Sequence, residues 1–131
     1  MQPEAIVRAF CAAWDDIDLD RILALLAPDA VYQSGPARPV RGHDQIAALL
    51  REMTRGLSAC EFEILHLAVS GDVVFTERRD VVTVGGVTAV LPVVGVFEIR
   101  DGMIREWREH FDQAEHRRAL SPVANVEEGD T

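Results

Sequence analysis

Three charged residues carry the chemical interest of this chain: Arg78 and Asp80, two apart in the run DVVFTERRDVVTV (72–84), and Glu109, set between Trp107 and Phe111. Val73, Val74, Phe75, Val81, Val82 and Val84 are β-branched or aromatic, and turn residues bracket the run at Ser70-Gly71-Asp72 and Gly85-Gly86, so it reads as a strand. Alternation puts Val74, Thr76, Arg78, Asp80, Val82 and Val84 on one face and Val73, Phe75, Glu77, Arg79 and Val81 on the other. A guanidinium and a carboxyl two residues apart on one face have Cα atoms roughly 7 Å apart, near enough for contact or for a shared third partner. In 103–112 the same alternation groups Met103, Arg105, Trp107, Glu109 and Phe111 against Ile104, Glu106, Arg108, His110 and Asp112. A carboxylate among aromatic rings loses hydration and is either paired or useful as a base. Two carboxyls and a guanidinium in a dry hollow would divide one proton, one carboxyl serving as general base and the other as general acid. The same residues also fit a cross-strand ion pair on a solvated face, and by spacing alone that is the commoner outcome.

Helices and strands must hold these groups. Pro3 suits a helix start, and Ile6, Phe10, Ala13 or Trp14, and Ile17 recur at helical steps, giving about four turns. Asp18 reads as the cap of a second helix carrying Leu19, Ile22, Leu23, Leu25 and Leu26, which Pro28 stops. Ala30 to Ser34 is extended, Gly35-Pro36 ends it, and the chain to Val40 reads as loop. A third helix runs from Gly42-His43-Asp44 through Ile46, Leu49, Leu50 and Met53 to Gly56. Strands are expected at 59–69, 72–84, 87–100 and 103–112, with Asp101-Gly102 a hairpin signal and Pro92 pointing to an edge position or a bulge. Helices first and an antiparallel meander after them make an α+β domain with the helices on one sheet face. Its expected extent is 1–115. QAEHRRAL adds a short helix, and the acidic segment 116–131 is expected to be mobile.

The chain has 131 residues, 48% hydrophobic and 27% charged, a composition ordinary for one globular core. Its net charge of −9 argues against a nucleic acid or anionic-membrane partner. No apolar run approaches the roughly 20 residues of a membrane span, and the N-terminus lacks a signal-peptide pattern, so a cytoplasmic location is expected. Cys11 and Cys60 have no ligand-like neighbours and read as small buried hydrophobes. His43, His66, His110 and His116 show no metal spacing, so neither a metal nor another cofactor is expected.

The segments His66-Leu67-Ala68, Thr76-Glu77-Arg78-Arg79-Asp80-Val81, Val94-Gly95-Val96-Phe97 and Asp101-Gly102 through Trp107-Arg108-Glu109-His110-Phe111-Asp112 resemble limonene-1,2-epoxide hydrolases. Those enzymes belong to the cone-shaped superfamily of nuclear transport factor two, ketosteroid isomerase and SnoaL-like polyketide cyclases. The resemblance implies a strongly curved, mainly antiparallel sheet with an internal pocket, and epoxide hydrolysis without a cofactor. By position, Arg78 and Asp80 fall on the family's catalytic arginine and acid, Glu109 on its base, and Tyr32 and Ser34 on the pair that holds the attacking water. Glu109 is one methylene longer than the usual aspartate, and Ser34 replaces an asparagine. Val82, Trp107 and Phe111 would wall the pocket and select a small hydrophobic substrate. The superfamily also admits a cofactor-free isomerase or polyketide cyclase, or a non-catalytic dimeric module holding a lipid-like ligand. A diol product separates hydrolysis from isomerisation, and turnover separates both from binding. The apolar outward residues Val73, Phe75 and Val81 point to a homodimer through the sheet faces.

Overall fold

The computed structural model describes residues 1–129. The order is α1 (Pro3–Asp15), α2 (Leu19–Leu25), β1 (Leu26–Ser34), β2 (Val40–Arg41), α3 (Gly42–Thr54), β3 (Leu57–Ser70), β4 (Val73–Val84), β5 (Val87–Arg100), β6 (Met103–His110) and α4 (Gln113–Gly129). The strands form one curved sheet in the order β2-β1-β6-β5-β4-β3. β3 to β6 are an antiparallel meander, and β1 joins β6 in parallel. The result is an α+β cone, helices against a mixed sheet.

Pro3 lies in the first turn of α1, where its missing N–H costs nothing, and Ile6, Val7, Phe10, Cys11, Ala13 and Trp14 form the buried stripe. That stripe lies on the sheet's inner face. Phe10 meets Phe97 and Trp107 edge-on, with centroids 5.6 and 4.9 Å apart, and Trp14 stacks on Phe62 at 5.0 Å. Replacing Phe10 by Ala would remove the ring on which both sheet aromatics rest, a loss of about 3–5 kcal/mol. The helix stops two residues before Ile17, which takes a φ of +50° so that the chain can turn into α2. Asp18 then caps α2, its carboxylate accepting from the Arg21 backbone N–H at 3.1 Å.

Three expectations change. Val40, read as the end of a loop, forms a short strand with Arg41 and pairs with β1. Pro92 takes the edge position that the sequence suggested, although β5 is an interior strand: it pairs with Arg79, in the half of β5 beyond the Val94–Arg100 stretch that β6 covers. There β5 has a ladder on one side only, so the missing N–H breaks no sheet bond, and the Pro92 carbonyl accepts from His116 Nε2 at 2.7 Å. Ile104, assigned to the outward face, is fully buried with Ile99, because the register slips by one residue between Glu98 and Ile99. The segment 116–131, expected as a tail, is helical as far as Gly129, with Val123 buried against Val84 and Ala89; residues 130–131 lie outside the described residues. Among the described residues no helix is long and apolar enough to cross a membrane.

Candidate active site

The alternation of β4 places Val74, Thr76, Arg78 and Asp80 inward and leaves Phe75, Glu77 and Arg79 exposed. Ladder partners continue this inner face across the sheet: Thr76 pairs with Gly95 of β5, Gly95 with Glu109 of β6, and Glu109 with Ser34 of β1. One step along, Tyr32 pairs with Trp107 and stacks on it at 3.9 Å. Strands distant in sequence thus bring Tyr32, Ser34, Arg78, Asp80 and Glu109 to one end of the cone.

Arg78, 1% exposed, organises the group. Its Nε and Nη2 donate to the two Asp80 oxygens at 3.0 and 2.9 Å, Nη2 also donates to Glu109 Oε1 at 2.8 Å, and Nη1 donates to Thr76 Oγ1 at 2.9 Å. The Phe62 ring lies 4.6 Å from the guanidinium carbon, a cation–π contact. A solvated cross-strand pair is therefore not what the chain builds; Asp80 and Glu109 are 9% and 6% exposed. A fork that holds two carboxyls in a dry site stabilises their shared negative charge through charge-assisted hydrogen bonds. Glu109 Oε2 is buried without a hydrogen-bond partner, as are the indole N–H groups of Trp14 and Trp107.

Burial pushes the Asp80 carboxyl up from 3.8 to about 6, outweighing the hydrogen bonds and charge of Arg78 that pull it down. For Arg78 burial opposes the cation, but the charges of Glu109 and Asp80 prevail and hold it protonated. The Tyr32 phenol is raised by burial and by Glu109, with the Ser34 hydroxyl working the other way, so it stays neutral. Burial also lifts the thiols of Cys11 and Cys60 to about 12, which makes them the inert packing groups the sequence suggested.

A cavity of about 570 Å³ opens in front of these groups. Asp80, Glu109, Tyr32 and Ser34 face it, Val82, Trp107 and Phe111 wall it, and Arg78 stands behind the carboxyls outside the lining. The volume is that of a small-molecule pocket. Sequence reasoning missed several contributors. Thr76 was visible as an inward neighbour of Arg78, and a glycine inside a strand, as at Gly95, is a known sign of close approach. Leu120, Val123 and Ala124 on α4, and His116, stacked on Phe111 at 4.1 Å, also line the cavity. The acidic composition of their segment gave no hint of that. Among the described residues no three or more His, Cys, Asp or Glu side chains gather as metal ligands.

The family profile for the limonene-1,2-epoxide hydrolase catalytic domain matches residues 1–120. The chain belongs to the limonene-1,2-epoxide hydrolase family. Over 106 residues it is 38% identical to epoxide hydrolase EphG of Mycobacterium tuberculosis, spanning 81% of this chain and 70% of that protein. A solved M. tuberculosis LEH-like epoxide hydrolase superposes with a TM-score of 0.81 at 34% identity, covering 95% of this chain and 94% of the other. A SnoaL-like polyketide cyclase from Shewanella denitrificans reaches 0.83 at 15% identity over 92% and 97% of the two chains, a likeness of fold alone. Membership of the limonene-1,2-epoxide hydrolase family makes this an enzyme of the epoxide hydrolase type.

Proposed function

We propose that the chain adds water to a hydrophobic epoxide in one acid/base-catalysed step and releases a diol. Glu109, ionised, takes a proton from a water that Tyr32 and Ser34 help to hold; the water oxygen bonds to a ring carbon as that carbon's bond to the epoxide oxygen breaks. Asp80 gives its proton to the departing oxygen. The proton gained by Glu109 returns to Asp80, directly or through solvent, before the next cycle. Arg78 touches neither reactant and keeps the two carboxyls apart in role by holding both in place. The observation that carries this reading is one buried guanidinium bridging both cavity-facing carboxyls, at 2.9 and 2.8 Å. Glu109 borders the cavity beside Tyr32 and Ser34, as a base must, and the raised Asp80 is the carboxyl suited to donate. Each such acid or base is worth roughly 10² to 10⁴ in rate. Val82, Trp107 and Phe111 favour an apolar substrate body. Two copies joined through their outward sheet faces are the proposed assembly, on the strength of exposed Phe75, Val90 and Val94.

Incubation with hydrophobic epoxides in ¹⁸O-labelled water tests the reaction. Label should enter one hydroxyl of a diol, and Glu109→Gln should abolish its formation while remaining folded. An isomer without added oxygen would replace hydrolysis by the isomerase or cyclase reading, and a retained ligand without turnover would leave a binding module.

A further inference from the structure

Arg78 is on β4 and Glu109 on β6, and β5 runs between them. Strands two apart lie roughly 10 Å from each other, so the guanidinium must pass over whichever β5 residue faces inward there. That residue is Gly95, paired with Thr76 on one side and Glu109 on the other. A Cβ added at Gly95 would collide with Arg78 Nη1 and lie 2.9 Å from both Glu109 Oε2 and Phe97 Cε2. The backbone gives no reason for glycine here, since Gly95 is not among the residues with positive φ. Glycine inside a strand also costs roughly 0.5–1 kcal/mol relative to alanine.

We propose that Gly95, together with Thr76, is a positioning residue of the active site: it leaves a gap over β5 through which Arg78 reaches Glu109. This rests on the reading of Arg78, Asp80 and Glu109 given above and adds what sets their geometry. Arginine has five N–H donors. Asp80 takes two, Glu109 one and Thr76 one, the last through Nη1, the nitrogen that lies over Gly95. Phe62 closes the guanidinium on another side. The fork is therefore fixed by a hydroxyl, an aromatic face and the absence of a side chain, none of which faces the reaction except the Phe62 ring at the cavity wall.

Gly95→Ala should displace the fork by about 1 Å and lower kcat per folded molecule about a hundredfold with KM close to wild type, while the crowding also lowers the thermal midpoint. A purely structural role would lower the midpoint and leave kcat per folded molecule unchanged. A second readout does not need turnover: in a ¹³C NMR titration, the Asp80 carboxyl of Gly95→Ala should titrate above its wild-type value, because Arg78 pulls that value down. If wild type hydrolyses no epoxide, the proposed reaction falls and the titration still decides the positioning. Should Gly95→Ala not fold, Thr76→Val removes the Nη1 acceptor without a clash, and Thr76→Ser, which restores it, should recover most of the kcat and the titration. Wild-type kcat and an unmoved Asp80 titration in the folded variants would overturn the proposal.

Discussion

One guanidinium and two carboxyls leave the buried group at −1, and a single added proton makes it neutral; burial favours that protonated state. Asp80, raised to about 6, is where the proton is best held. If Asp80 is the donor, kcat/KM should fall about tenfold per unit once pH passes about 6, as its protonated fraction falls. A flat profile from about pH 5 to about 8 would remove Asp80 from that role. Stability should follow the same group. A carboxyl whose native pKa exceeds its unfolded value binds its proton more tightly in the native state, so between 3.8 and about 6 its contribution to stability is lost as pH rises. The urea midpoint of wild type, compared with that of Asp80→Asn across this window, should carry that extra downward slope, and the variant should lack it.

At the scale of elements, β4 and the second half of β6 were legible because strict alternation with charged inward residues is hard to misread: Arg78, Asp80, Trp107 and Glu109 all face where period two puts them. Ile104 was misassigned because a register slip on the β5–β6 ladder leaves no mark in composition. Tyr32 and Ser34 took their place from a resemblance, since nothing local says that β1 runs parallel beside β6. The part of helix α4 beyond Leu120 was the largest omission; QAEHRRAL reads as helix from the sequence. Its apolar positions are few, and their partners, Val84 and Ala89, lie on strands more than 30 residues earlier. Val123→Ala should cost about 1–2 kcal/mol by thermal or urea unfolding. It should raise KM more than it lowers kcat, because Val123 lines the cavity and makes none of the hydrogen bonds to Arg78.

For the whole molecule, the outward sheet face carries a set of exposed apolar residues. Phe75 is 40% exposed there, Val94 pairs with Glu77 next to it, and Val90 lies further along, opposite Val81; Arg79 shares the face. If two copies meet on it, sizing by light scattering at micromolar concentration should give twice the chain mass, and Phe75→Glu should give single chains that remain folded. Wild type behaving as a single chain would count against the assembly. The two ends of the hollow are built by different rules. The carboxyls sit on strands held by a continuous hydrogen-bonded ladder, whereas α4 contains Pro122, which cannot supply the N–H that a helix interior expects at that point. Descendants of this chain could therefore vary α4 to admit differently shaped molecules while leaving the strands that carry Arg78, Asp80 and Glu109 untouched, so that a change of diet need not wait for a change of chemistry.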